Sequence, residues 1–512
     1  MPNIRLHRVL SNVAVAYTNM GVTTACSLIA VPAFVRFLTA EEYGLWLTIL
    51  SFLSPLTIVG LGFPTVIQNM LAEARAHGDW DQVNRVVATG FALLSVCTSL
   101  NCLLVLLLAR TGIFERLLKT TPGLRSQALM VVLISLTGYA LTQPLQVFRL
   151  ALRALERVDL EQKSMSVVAI LNLIVLVVVL VIGGRLVTVA TAYLAVQVLS
   201  GGLFLVYLVR KFPRLRLSFA HVSRTMAVSM LAPGFHFLVL SLSGVLIWGV
   251  DNIVISSVLG VAFVTAFALA SRLTSILRGV VITLFGTIVP TITSLHAEKR
   301  VETLRRVQLV STKLAMAVAL LLGIELGFFG RNFISLWAGK QVLVDAKTFW
   351  CLAGVLVVNV FLQPPFSLIV ATSEHRTYSY LCLGEGACNL ILSYWWVHLW
   401  GIRGVALGTL VSHILFSGLY LPWAEMQIIG LRMVRIHARF LFRLAAPATA
   451  AVAVALGTGG NATNWGLWVL YSSATLAAFL LTYRAVALDP EERDVLRDTF
   501  SGRRLNFGLS RG

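Results

Sequence analysis

The stretch SVVAILNLIVLVVVLVIGG, residues 166–184, contains no charged side chain. A helix that crosses a membrane needs about 20 mainly apolar residues, so this run is long enough to span a bilayer. The whole chain has the same character, because 58% of its 512 residues are hydrophobic, 12% are charged and the mean hydropathy is +0.85. Soluble domains carry roughly 25% charged residues. The composition therefore excludes a soluble protein and predicts a multi-pass membrane protein.

Similar apolar runs recur along the chain and predict an all-α fold with about fourteen transmembrane helices. An even number of spans places both termini on the same side of the membrane, and the termini and loops on that side contain 29 of the 41 Lys and Arg residues. Because basic residues are enriched on the cytoplasmic side, cytoplasmic N- and C-termini are predicted. The short basic segments are explained by this topology, so no nucleic-acid partner is predicted. The predicted spans lie near residues 12–35, 44–70, 86–109, 128–148, 164–182, 187–209, 227–249, 263–293, 308–328, 348–370, 379–399, 405–423, 441–458 and 465–483.

Short matches at a nearly constant offset of about 220 residues indicate an internal repeat. Since six helices enter and leave on the same side, the repeat predicts two parallel six-helix halves, an arrangement that suits alternating access. The matches are Leu141–Pro144 with Phe361–Pro364, Asn172–Ile174 with Asn389–Ile391, Arg185 with Arg403, and Pro64–Val66 with Pro290–Ile292. The predicted parts are the halves 1–218 and 219–440, two additional helices in 441–484, and a cytoplasmic tail, 485–512.

Two arginines lie deep within the predicted eighth span, where a charge is costly and by default suggests function. Arg272 and Arg278 are about 120° apart on the helix and flank a polar strip. Guanidinium groups bind phosphate oxygens through two hydrogen bonds, so the pair predicts an anionic, phosphorylated substrate. The alternative is structural pairing with a carboxylate on a neighbouring helix. Arg36, at the outer end of the first span, is a weaker substrate-binding candidate, because snorkelling towards the interface also explains it.

Other titratable residues inside the spans are candidates for coupling transport to an ion. Structural hydrogen bonding or pairing is the alternative for each of them. A proline at matched positions of the second and eighth spans, Pro64 and Pro290, supplies a candidate hinge in each half. The candidate ion-coupling residues are Glu325, Glu385, Asp251 and His236.

No enzyme activity is predicted. The chain contains none of the motifs G-x-x-x-x-G-K-[ST], G-x-S-x-G and H-E-x-x-H, and no connection on the outer side is long enough to form a catalytic domain. The adjacent carboxylates Glu41 and Glu42 are explained by a helix start, since Thr39 and Glu42 have the spacing of a capping box. No metal site and no cofactor is predicted.

Three segments carry a resemblance to a known family: FLTAEEYGLW (37–46), GFPTVIQNMLAEARAHGDWDQVNRVV (62–87) and VLGVAFVTAFALASRL (258–273). With them, the chain resembles the bacterial polysaccharide transporters, the oligosaccharide or O-antigen-type flippases. These belong to the multidrug/oligosaccharidyl-lipid/polysaccharide (MOP) exporter superfamily, together with multidrug exporters and lipid II flippases. The resemblance extends over essentially the whole chain.

The resemblance implies a flippase of the bacterial inner membrane. Its substrate would be an undecaprenyl-diphosphate-linked oligosaccharide, moved from the cytoplasmic to the outer leaflet for O-antigen, capsule or exopolysaccharide biosynthesis. It also implies a cationic central cavity, in agreement with Arg272 and Arg278. The missing nucleotide-binding motif separately leaves an ion gradient, of H⁺ or Na⁺, or the substrate's own gradient as the driving force. Membrane lipids and other polysaccharide assembly proteins are the further predicted partners. The alternatives are an ion-coupled multidrug exporter and a non-transporting scaffold of an assembly complex.

Overall fold

The computed structural model describes residues 2–112, 118–155, 157–215, 218–342, 344–372, 375–430, 433–458 and 462–488. Within these ranges the chain is helical and contains no β-strand, which confirms the predicted all-α class. The helices are α1 (Pro2–Phe37), α2 (Ala40–Ala76), α3 (Trp80–Arg110), α4 (Pro122–Thr142), α5 (Gln146–Ala154), α6 (Val158–Val181), α7 (Leu186–Lys211), α8 (Arg224–Trp248), α9 (Asp251–Val258), α10 (Val261–Gly286), α11 (Val289–Ala297), α12 (Val301–Trp337), α13 (Ala346–Phe361), α14 (Gln363–Ala371), α15 (His375–Trp400), α16 (Ile402–Leu415), α17 (Ser417–Ile429), α18 (Met433–Thr458) and α19 (Trp465–Thr482).

Eleven helical segments among the described residues are long and apolar enough to cross a membrane. The number is twelve when the bent pair Ser241–Trp248 and Asp251–Val258 is counted as one span. A helix lies at each of the fourteen predicted positions, but α2, α8 and α15 are not among the eleven, and α8 enters the count only through its bent pair with α9. The multi-pass architecture is therefore confirmed, whereas the count of fourteen is not.

The helices form two compact units. The first unit is made of the described residues of Met1–Leu269, Trp337–Leu343 and Arg376–Ser412. The second unit is made of those of Ala270–Leu336, Val344–His375 and His413–Gly512. The division into the halves 1–218 and 219–440 stays a prediction. Of the predicted tail, residues 489–512 lie outside the described part of the chain.

In the first unit, α2 begins with the predicted capping box. The backbone N–H of Glu42 donates to Thr39 Oγ1 at 3.2 Å, and the backbone N–H of Thr39 donates to Glu42 Oε2 at 2.9 Å. The other carboxylate oxygen, Oε1, accepts from Arg185 Nε at 2.9 Å. Glu42 is 2% exposed, so one buried carboxylate both closes the start of α2 and holds the start of α7.

We expect the substitution Glu42→Ala to lower the free energy of unfolding by about 1–3 kcal/mol. The start of α2 loses part of its cap, because the backbone N–H of Thr39 loses its acceptor. The ion pair adds little to this, since the Arg185 side chain is 59% exposed and solvent screens it. The measurement is Tm in detergent. Glu41→Ala is the matched control, because Glu41 makes only an exposed hydrogen bond with Thr121. Equal Tm shifts for both variants would contradict this role of Glu42.

Prolines end helices at the matched positions of the predicted repeat. A Gln-Pro step separates α4 from α5, and another lies at the junction of α13 and α14; α5 and α14 each have nine residues. Proline lacks an N–H and restricts the residue before it, so a helix is interrupted there. The chain also breaks between α10 and α11, directly before Pro290, whereas α2 continues through Pro64. The roles of Pro64 and Pro290 as hinges stay predictions.

In the second unit, the two C-terminal helices α18 and α19 pack against α12. Their shared core includes Phe329 of α12, Leu444 and Ala451 of α18, and Phe479 of α19, each at most 1% exposed. Small residues on α18 allow this close approach of helices, as is common within membranes. The additional helices are thus an integral part of this unit.

Candidate functional site

The two predicted substrate-binding arginines lie on α10 within the second unit. Arg272 is exposed and Arg278 is half-buried. Six residues separate them, which corresponds to about 9 Å along the helix axis. Between them, the buried Thr274 Oγ1 donates to the backbone carbonyl of Ala270 at 3.3 Å, so this part of the polar strip is satisfied locally.

The surroundings of Arg272 bear on the alternative of structural pairing. Within the described ranges, Arg272 makes no hydrogen bond and no ion pair. A guanidinium without a carboxylate partner keeps all of its N–H donors available to an anion. Arg278 does interact with other groups of the protein. Of the two arginines, Arg272 is the one without a protein partner among the described residues. The roles of both in substrate binding stay predictions.

Arg36 lies in the first unit, at the last turn of α1. Its side chain is exposed, and its Cζ atom lies 6.0 Å from the ring centroid of Phe37. A cation at the end of a helix, resting on an aromatic ring, is typical of a side chain at the membrane interface. Its role in substrate binding stays a prediction.

Asp251 occupies a helix break in the first unit. It is the first residue of α9, after a bend of 43° between Ser241–Trp248 and Asp251–Val258. Its carboxylate lies beside the side chains of Asn389 and Thr409. Its Oδ1 atom is buried and has no hydrogen-bond partner within the described residues. Asp251 thus keeps a free acceptor inside the unit, next to polar groups from α15 and α16.

Asn389 stabilises this break. Its amide Nδ2 donates to the backbone carbonyls of Leu246 at 3.2 Å and of Ile247 at 3.1 Å. These carbonyls lie at the end of α8, where the helix stops and the backbone N–H groups that would pair with them are missing. Inside a membrane, water cannot replace those N–H groups. Asn389 is fully buried. Its side chain therefore makes a non-helical backbone tolerable at this depth.

The remaining candidates for ion coupling lie in different surroundings. Glu385 is fully buried on α15, one helical turn before Asn389, so the structure brings Asp251 to the helix that carries Glu385. Glu325 belongs to the second unit; its Oε2 accepts from Ser472 Oγ at 2.7 Å, and its Oε1 is buried without a partner within the described residues. The side chain of His236 lies outside the described part of the structure.

Sequence reasoning missed two residues of this kind. In the sequence, Asn389 was only a marker of the repeat. An amide side chain within an apolar run is nevertheless a signal, because it can pair with backbone groups left open at a helix break. Glu425 lies two residues beyond the predicted end of the twelfth span, so the predicted boundary gives no signal of a buried charge there. In the structure it is fully buried within α17.

The sequence matches a known family. The model of the family described as "Polysaccharide biosynthesis protein" matches residues 9–296, which is more than half of the chain. A search of curated proteins finds no significant match.

Solved structures with a similar fold are membrane transporters. The lipid II flippase MurJ in an inward closed conformation has a TM-score of 0.72 at 14% identity, covering 92% of this chain and 99% of that chain. An inward-facing multidrug resistance MATE family transporter of the MOP superfamily has a TM-score of 0.70 at 17% identity, covering 82% and 99%. A MOP superfamily transporter from Pyrococcus furiosus, with a binding pocket of reverse polarity, has a TM-score of 0.59 at 17% identity, covering 82% and 95%. The chain therefore belongs to the polysaccharide biosynthesis protein family and is a multi-pass membrane protein with the fold of the MOP superfamily transporters.

Proposed function

We propose that the protein is a flippase of the bacterial inner membrane. It moves an undecaprenyl-diphosphate-linked oligosaccharide from the cytoplasmic to the outer leaflet by alternating access, and this step serves O-antigen, capsule or exopolysaccharide biosynthesis. The family match to polysaccharide biosynthesis proteins and the fold shared with the lipid II flippase support this function. The reaction is transport, and no covalent step is required of the protein.

The observation that carries the proposal is the guanidinium of Arg272, which lies within an apolar helix and has no partner among the described residues. A charge in a transmembrane helix is tolerated when it faces protein or a water-filled cavity. A diphosphate supplies several anionic oxygens that a guanidinium can bind through paired hydrogen bonds. Arg272 is the principal diphosphate-binding residue in this proposal, and Arg278, about 1.7 turns further along, is the second. Arg36 is a weaker contributor.

The experiment uses proteoliposomes that contain the purified protein and a fluorescent polyprenyl-diphosphate oligosaccharide. A membrane-impermeant quencher reports how much of the lipid has changed leaflet. We expect translocation well above that of protein-free liposomes. Transport of a cationic drug without movement of any of several lipid-linked oligosaccharides would instead identify a multidrug exporter. Movement of neither class, together with a copurifying polysaccharide assembly protein, would identify a scaffold.

Among the candidates for coupling transport to an H⁺ or Na⁺ gradient, Asp251 is the one that the structural arrangement favours. Its buried Oδ1 lacks a hydrogen-bond partner within the described residues, and the side chains of Asn389 and Thr409 lie beside it. A carboxylate with a free oxygen near a helix break can accept a proton or contribute to a cation site. Glu385 and Glu325 are the further candidates.

The substitution Asp251→Asn keeps the size of the side chain and removes its charge. We expect it to abolish the part of translocation that responds to an imposed ion gradient and to leave translocation without a gradient within about twofold. Rates with H⁺ and Na⁺ gradients, imposed separately, provide the measurement. Asp345→Asn is the matched control, because Asp345 is exposed before α13 and makes no side-chain cap. A wild-type response of Asp251→Asn to both gradients would show that coupling does not depend on Asp251.

A further inference from the structure

Three fully buried polar side chains of the second unit meet between α12 and α17. Gln308 and Thr312 lie one turn apart on α12 and so share a face of that helix, and Glu425 lies on α17. Gln308 Nε2 donates to Glu425 Oε1 at 2.7 Å. The hydroxyl of Thr312 approaches the same carboxylate without completing a hydrogen bond. The three side chains therefore form one cluster.

Each of these side chains has an oxygen atom that is buried and unpaired. Gln308 Oε1, Thr312 Oγ1 and Glu425 Oε2 have no hydrogen-bond partner within the described ranges. Buried polar atoms in folded proteins are nearly always paired, so three unpaired oxygens in one cluster require an explanation. The orientation of the Gln308 amide does not provide it, because reversing the amide would bring two acceptors into contact.

The negative charge of Glu425 is also not balanced by a nearby base. Among the described residues, no Lys, Arg or His forms an ion pair with Glu425. Arg305, on the same helix as Gln308, instead donates from Nε to the backbone carbonyl of Ile429 at 2.7 Å and pairs with Glu302. Lys313 lies 5.9 Å from the ring centroid of Phe440. A buried carboxylate without a basic partner must be neutralised by a bound cation or a proton.

We propose that Gln308, Thr312 and Glu425 bind a monovalent alkali-metal cation, for which Na⁺ is the probe. Carboxylate, amide and hydroxyl oxygens are the ligands that hard cations take in proteins. A proton on Glu425, passed on through the donor hydroxyl of Thr312, could pair the same oxygens, so the binding measurement distinguishes the two occupants. A metal ion would take the three oxygens as direct ligands. A single charge matches the single carboxylate, while a divalent ion would leave an uncompensated positive charge in a buried place. The bound ion would link α12 to α17.

This inference does not depend on the proposed flippase function, because the ion binds the protein itself. The experiment measures equilibrium binding of ²²Na⁺ to the purified full-length protein in detergent without any lipid-linked substrate. We expect Glu425→Gln to reduce the number of bound Na⁺ ions by one per chain. Thr312→Val, which removes one ligand and keeps the shape of the side chain, is expected to raise the Na⁺ concentration at half saturation by roughly tenfold.

Glu302→Gln is the matched control, since Glu302 lies on α12, the helix of Gln308 and Thr312, and its side chain is 90% exposed. It should leave the number of bound ions unchanged. If Glu425→Gln does not fold, Thr312→Val alone decides. The proposal is overturned if the wild-type protein binds no Na⁺, if Glu425→Gln binds as many ions as the wild type, or if Thr312→Val has wild-type affinity. Translocation measured separately would still test the flippase function, so the two can fail independently.

Discussion

The substitution Arg272→Ala is expected to reduce translocation of a polyprenyl-diphosphate oligosaccharide by roughly 10- to 100-fold. A hydrogen bond to a charged group contributes about 1.5–3 kcal/mol, and each 1.4 kcal/mol corresponds to a factor of ten. Arg272 is the arginine of α10 without a protein partner among the described residues, so its removal leaves no buried carboxylate unpaired. The loss should therefore appear in transport and leave stability nearly unchanged.

Further variants separate charge from geometry. Arg272→Lys keeps the positive charge and loses the planar pair of donors, so we expect a rate between those of the wild type and Arg272→Ala. Arg278→Ala should have a smaller effect on transport. Arg300→Ala is the matched control, because Arg300 is half exposed at the start of α12 and its contact with Glu298 is 3.8 Å long. Wild-type translocation by folded Arg272→Ala and by Arg278→Ala would mean that the diphosphate binds elsewhere.

The second large effect is expected for Gly44→Ala, which should lower the free energy of unfolding by about 3 kcal/mol. A Cβ atom on Gly44 would collide with the backbone carbonyl of Val261, and it would lie 3.2 Å from Thr265 Oγ1. Thr265 Oγ1 also donates to the backbone carbonyl of Ala40 at 2.7 Å, so α2 and the start of α10 are held closely together here. A rigid backbone atom cannot give way as a flexible side chain could, and overpacking of this kind costs about 1–3 kcal/mol or more.

Tm and the yield of monodisperse protein in detergent measure this effect. Gly21→Ala is the matched control, because Gly21 lies within α1 and, apart from its own helix backbone and chain neighbours, no described atom lies within 4 Å of the added Cβ. Alanine is the better helix former, so the control should be neutral or more stable by about 0.5–1 kcal/mol. A Tm of Gly44→Ala equal to that of the wild type would show that α2 and α10 can separate without cost. The tight contact explains physically why the family-like Tyr-Gly step at 43–44 contains glycine.

Much of the fold could be predicted because its determinants are local. A helix in a membrane satisfies its backbone groups within one segment, so hydropathy alone locates it. The cap of α2 by Thr39 and Glu42 was predicted from four residues. The start of α3 is capped by an equally local contact, since Asp79 accepts from the backbone N–H of Gln82 at 2.8 Å. Arg272 and Arg278 were predicted in the same way, from charges within an apolar run, and their roles stay predictions. Arg272 has no partner in the described ranges.

The sequence by itself thus determined the membrane class, the helix positions, the helix caps and the family. Only the tertiary structure decided which polar groups meet. Asn389 reaches a carbonyl 142 residues away, and Gln308 binds a carboxylate 117 residues away. Such pairs depend on the packing of helices that are distant in sequence, and helix packing allows several angles and registers for the same apolar pattern. Hydropathy describes how each segment partitions into the membrane, but it contains no information about which neighbour supplies the partner of a buried oxygen or amide.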